Sequence, residues 1–169
     1  RHTSGDDDII MVSRLGQGIR FHESDVRPTG RNTAGVHGMR LRKADEVISM
    51  DIARDDSDLF LITDAGYGKR TPISEWRVQG RGGQGVIAIK LTDVKGYLVG
   101  VRIVRENHEV MLQSRDGVVI RMRADGISRQ SRTATGVRVM NMREGDVVSA
   151  VARMVVSESG ATDEEIEAG

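Results

Sequence analysis

The chain has 169 residues, with 25 Lys and Arg against 25 Asp and Glu, 20 glycines, 3% aromatic residues and no cysteine. The missing cysteines exclude disulfides and thiolate metal sites, and no apolar run approaches the ~18 residues of a membrane-spanning helix. The zero net charge hides an uneven distribution: residues 157–169 hold five acids and no base, while residues 9–156 hold 24 Lys and Arg against 17 Asp and Glu, a net +7.

Arginine dominates, 21 to four lysines. A basic, arginine-rich body with an acidic end points to a polyanionic partner. The terminal acids Glu158, Asp163, Glu164, Glu165 and Glu167 are expected to compete for the same basic surface. A chain opening at Arg1 rather than Met is expected to be part of a longer protein. It carries no signal-peptide pattern.

In chain order, acids at Asp6 to Asp8 lead into the apolar run Ile9-Ile10-Met11-Val12, a turn at Gly16, a second segment bearing Arg20, and apolar Val26. A loop from Thr29 to Gly35 carries Arg31; Met39, Leu41 and Val47-Ile48 follow. The same order then recurs with Asp55, Asp56 and Asp58, Leu59 to Ile62, Gly66, Arg70, Trp76, the loop Gln79 to Gly85 with Arg81, Ile89, Leu91 and Leu98-Val99. It recurs again with Glu106 and Glu109, Val110 to Leu112, Gly117, Arg121, Ile127, the loop Gln130 to Gly136 with Arg132, Met140, Met142 and Val147-Val148. The glycine and arginine columns repeat at spacings of 50 and 51. The repeats divide the chain at 1–54, 55–105 and 106–156, with 157–169 read as an acidic, disordered tail.

Helical period is nowhere sustained, and each unit reads as four short strands with a hairpin turn between the first two. A four-stranded unit of about 50 residues, repeated, predicts an all-β, propeller-like array of blades. Trp76, in one column with Val26 and Ile127, is expected in the core, as are most of the eight methionines.

Gly80, Gly82 and Gly85 have the spacing of a dinucleotide-binding loop. The segment that follows, Val86 to Leu91, has strand period rather than the helix such a loop requires, so a nucleotide site is not expected. Its two sibling loops share only Arg-x-x-x-Gly. An arginine presented at the same place on every blade suits a periodic ligand, duplex DNA, contacted at phosphates without base readout. The competing structural role is pairing of Arg31, Arg81 and Arg132 with carboxylates at a blade junction. Asp25 and Glu75 are available in two units, but the third has Gly126 in that column, which argues against a shared pairing. His2, His22, His37 and His108 lack ligand spacing, so no metal site is expected. No cofactor is expected.

The Arg-x-x-x-Gly loops with their flanking strands resemble the C-terminal domain of DNA gyrase A, over about residues 6–156. The stretch Gln79-Gly80-Arg81-Gly82-Gly83-Gln84-Gly85 is similar to the gyrase box, with Gly80 and Gln84 standing where basic residues are usual. It looks like a second, weaker box of the kind seen in actinobacterial gyrases. The resemblance implies a β-pinwheel, of which this chain is the second half. It implies a non-catalytic domain that binds, bends and wraps double-stranded DNA for negative supercoiling. The implied partners are the remaining blades and catalytic core of gyrase A, and gyrase B, in the bacterial cytoplasm at the nucleoid. Expected DNA-binding residues are Arg31, Arg81 and Arg132, the box residues Gln79, Gly82 and Gly83, the strand column Arg20, Arg70 and Arg121, and Lys69, Arg40, Lys90, Arg129 and Arg138. Low aromatic content argues against single-strand binding, which needs stacking platforms. The rival reading is a protein-interaction β-propeller scaffold, whose aromatic blade signatures are missing.

Overall fold

Three hairpins organise the chain in the computed structural model, which describes residues 1–155 and the backbone of Val156 and of Thr162–Asp163. They are β1 (Asp8–Ser13) with β2 (Gln17–His22), β4 (Asp58–Thr63) with β5 (Tyr67–Pro72), and β8 (His108–Ser114) with β9 (Val119–Arg123). Each turn places a glycine at positive φ, Gly16 at 81°, Gly66 at 84° and Gly117 at 87°, a region that glycine enters without steric cost. A buried hydroxyl at the end of the first strand completes the turn: Ser13 accepts from Gln17 N–H at 3.2 Å, Thr63 from Tyr67 at 3.2 Å and Ser114 from Val118 at 3.1 Å. A 3-10 turn closes each hairpin, at Glu23–Asp25, Ile73–Glu75 and Ala124–Gly126.

The return strands β3 (Val47–Ala53), β7 (Leu98–Val104) and β11 (Val148–Val156) pair antiparallel with β1, β4 and β8. A register shift recurs near the same end of each pairing, at Val12/Ser13, Ile62/Thr63 and Val148/Ala150. β7 lies against both β3 and β11, so the return strands gather on the inner side of the array.

The four strands read in each unit do not all pair within that unit. β6 (Val86–Ile87), from the second repeat, pairs with β2 of the first sheet. β10 (Val137–Arg138), from the third repeat, pairs with β5 of the second sheet. The sheet orders are therefore β3-β1-β2-β6 and β10-β5-β4-β7, with β12 (Thr162–Asp163) on β11 in the third, β12-β11-β8-β9. The second and third repeats thus lend the arm after their 3-10 turn to the outer edge of the preceding sheet. Within the segment expected as a tail, Thr162–Asp163 pairs with Val155–Val156. The rest of 157–169, with Glu158, Glu164, Glu165 and Glu167, lies outside the described residues.

The core lies between sheets because alternate strand residues face opposite neighbours. Ile10 and Val12 of the first repeat pack with Leu59, Leu61, Trp76 and Ile89 of the second. Phe60 and Ile62 of the second pack with Val110, Leu112, Ile127 and Met140 of the third. Trp76 and Ile127 are 1% and 3% exposed, but Val26 in the same column is 42% exposed. Met50 is likewise 44% exposed where Val101 and Val151 are 2% and 8%. The first repeat presents openly the face that the other two bury.

Candidate nucleic-acid interface

The three arms form a continuous outer belt. Gly82 N–H donates to Gly38 O at 2.8 Å and Arg40 N–H to Gly83 O at 2.8 Å, joining the first arm to the second. Lys90 N–H donates to Ala134 O at 3.2 Å, joining the second to the third at the matching position. Each arm docks on the sheet before it, with Gln79 N–H on Arg20 O and Gln130 N–H on Arg70 O, both at 2.9 Å. The approach is close where the loop ends. Gly85 has φ 72°, and a Cβ there would lie 2.3 Å from Gly18 O. The final glycine of the Arg-x-x-x-Gly pattern therefore lets the arm close onto the preceding edge.

The loop arginines clip the arms together. Arg81 Nη1 donates to His37 O, and its Nε to Asp25 O at 3.1 Å. Arg132 Nη1 donates to Ile87 O at 2.5 Å. The carboxylates come from the preceding unit and accept from main-chain N–H groups: Asp25 from Arg81 at 3.2 Å, Glu75 from Arg132 at 2.6 Å. Pairing is thus offset by one repeat, and Gly126 bears on none of these three loops. Arg31, in the first repeat, is exposed.

The strand arginines split. Arg20 is 8% exposed and pairs with Asp8 at 2.7 Å and Asp55 at 2.6 Å. Arg70 is 8% exposed, pairs with Asp58 at 2.9 Å and donates to Ile127 O at 2.8 Å. Both tie adjacent blades and present no guanidinium face to a ligand, a correction to their expected role as DNA contacts. Arg121, in the same column, is exposed and pairs with Glu109. Lys69 is corrected for the same reason. It is fully buried, with Nζ donating to Ser131 O at 2.6 Å and Arg132 O at 2.7 Å. Burial pushes its amine down to about 8, with Glu75 opposing and Arg132 adding to the fall.

The exposed cations lie on the belt and its flanks. Arg40 and Lys90 are exposed beside the backbone bonds that join successive arms. Arg129 is exposed and forks onto Asp58, with Nη2 2.9 Å from Oδ1. Arg138 is exposed, donates to Tyr67 Oη at 2.7 Å and lies 5.1 Å from that ring's centre. Gln79, Gly82 and Gly83 sit half-buried at the second arm's joint. Sequence reasoning missed Arg27 and Arg77, both exposed, although they repeat at the 50-residue spacing and were legible as a column. It also missed exposed Arg42, Lys43 and Arg143. Among the described residues no group of His, Cys, Asp and Glu is placed to hold a metal ion.

Comparison with known proteins supplies the family. The model of the DNA gyrase C-terminal domain, beta-propeller, matches residues 7–54, 57–105 and 108–153. The DNA gyrase A protein of Streptomyces coelicolor is 42% identical over 166 residues, 97% of this chain and 19% of that protein. The DNA gyrase A protein of Mycolicibacterium smegmatis is 41% identical over 168 residues, covering 98% and 20%. The chain therefore spans about a fifth of the length of these curated relatives. A solved DNA gyrase A C-terminal domain superposes with a TM-score of 0.80 at 30% identity, over 88% of this chain and 50% of that one. The C-terminal domain of DNA topoisomerase IV superposes with a TM-score of 0.84 at 23% identity, over 90% and 48%, and shares the fold. With its three interlocked blades, its outer belt of arms and a family match on every repeat, the chain belongs to the DNA gyrase A C-terminal domain family of β-pinwheels.

Proposed function

We propose that this chain binds and wraps double-stranded DNA along its belt of arms, as part of a bacterial type IIA topoisomerase, DNA gyrase. The observation that carries the reading is the row of exposed cations on successive arms: Arg31 and Arg40, then Arg77 and Lys90, then Arg129 and Arg138. Arg27, Arg42, Lys43 and Arg143 add charge along the same belt. Gln79, Gly82 and Gly83 shape the joint between two arms, and Arg81 and Arg132 keep the arms in register. Arg121 adds an exposed cation on the outer strand of the third sheet. Such contacts go to phosphate oxygens and position DNA without reading its sequence. Bending a 20–30 bp site through 40–90° costs on the order of 1–6 kcal/mol, which contacts spread over several blades offset. Sequence preference then follows DNA bendability.

The chemistry of strand passage belongs to other parts of the enzyme, and this chain acts as its accessory DNA-binding part. The open face of the first repeat, with Val26 and Met50, fits a further blade of gyrase A. The catalytic core of gyrase A, together with gyrase B, completes the assembly at the bacterial nucleoid. The wrapping reading is tested on relaxed plasmid resealed by a nicking-closing enzyme in the presence of the protein. A shift in linking number that grows with protein concentration supports wrapping; an unchanged distribution under conditions where the protein is bound refutes it.

A further inference from the structure

Each Arg-x-x-x-Gly loop is built from two units, and the earlier unit contributes a carboxylate. Asp25 and Glu75 occupy the last position of successive 3-10 turns, and each accepts the main-chain N–H of the next unit's loop arginine, Arg81 or Arg132. The arginine side chain reaches a carbonyl of the previous arm, His37 or Ile87, and Arg81 Nε also donates to Asp25 O at 3.1 Å. A negative charge beside a basic DNA-binding belt opposes binding. Its recurrence at the same place therefore calls for a role that offsets the repulsion.

We propose that Asp25 and Glu75 are positioning residues for DNA binding, each fixing the loop of the following unit so that the arm presents its cations in register. This rests on the DNA-binding reading above. The two loops are held unequally. Arg132 is grasped at both ends of one residue, its N–H by Glu75 and its C=O by Lys69 Nζ at 2.7 Å. Ile19, which has no donor, stands in the place of Lys69 under the second loop, where Arg81 Nε on Asp25 O and Gly82 N–H on Gly38 O supply the further holds. The third sheet departs from the pattern twice. Gly126 replaces the carboxylate, and Val119 replaces Gly18 and Gly68, the positions on which β6 and β10 pair. Its outer edge lacks the features that receive a loop in the other two sheets.

The test compares Asp25→Ala, Asp25→Asn, Glu75→Ala and Glu75→Gln in the whole chain. Affinity for a B-form duplex and amide hydrogen exchange at residues 79–85 and 130–136 are read together. If the carboxylates are only repulsive charges, all four variants bind DNA more tightly. If they position the loops, the amide variants, which keep an acceptor and lose the charge, bind as tightly as the parent or tighter. The alanine variants then bind roughly five-fold more weakly, the equivalent of about 1 kcal/mol. Exchange accelerates only in the following unit's loop. Alanine variants that bind as tightly as the amide variants overturn the proposal. If the parent binds no DNA, the DNA reading fails and exchange alone decides: unchanged protection in both alanine variants overturns the positioning role. Both carboxylates are exposed, and the near-ultraviolet signal of buried Trp76 reports whether each variant folds.

Discussion

Lys69 makes the fold pH-dependent in a window where few other groups act. Its side chain is fully buried, with Nζ held by the carbonyls of Ser131 and Arg132, and burial lowers its pKa to about 8 from the ordinary 10.5. A base whose folded pKa lies below its unfolded value binds its proton less tightly in the fold. The charged amine therefore costs stability below about pH 8, and stability rises as pH climbs from about 8 toward 10.5. Integrating between pH 7 and pH 10 gives a gain of about 2 kcal/mol from this residue. The assay is urea unfolding at several pH values across that range, on the parent and on Lys69→Met, which has similar volume and no titrating group. The difference between the two curves cancels the remaining lysines and the tyrosines. The parent gains on the variant by about 2 kcal/mol from pH 7 to pH 10. Curves that stay parallel across the range refute the reasoning.

Three further substitutions separate architecture from DNA contact. Gly85→Ala meets both a positive φ of 72° and the Gly18 carbonyl, so thermal unfolding shows a loss above about 2 kcal/mol. Gly35→Ala has the same φ of 72° with open space around it, so it loses only about 1 kcal/mol. Arg70→Met breaks a buried pair with Asp58 and a bond to Ile127 O, so it lowers stability by about 3 kcal/mol. Once folded, this variant keeps the parent's salt dependence of DNA binding.

Much of the fold was legible because the same geometry is solved three times. A turn that needs positive φ calls for glycine at Gly16, Gly66 and Gly117, and a buried column calls for apolar residues at Trp76 and Ile127. Strand exchange was not legible. A two-residue strand such as Val86–Ile87 has no period to read, and nothing in its own residues says that its partner lies in the previous repeat. The offset misled the reading of the site as well. Asp25 and Glu75 were compared with the loop arginine of their own unit, so Gly126 looked like an exception. Charge alone also failed to separate Arg20 and Arg70 from Arg121. The first two are covered by a following arm, which the third sheet does not receive. Lys69 stands in a column with Ile19 and Ile120, a sign of burial that its charge obscured.

The central claim is that DNA runs along the exposed cations of the arms. It is tested most directly by the salt dependence of duplex binding for the parent and for a triple variant, Arg40→Ala with Arg77→Ala and Lys90→Ala. None of these side chains has a hydrogen-bond or ion-pair partner among the described residues, so stability changes little. Each phosphate contact contributes a slope of about −0.9 in log K against log salt, so the account predicts a slope shallower by roughly 2.7 in the variant. A folded variant with the parent's slope contradicts it and places the DNA off the belt.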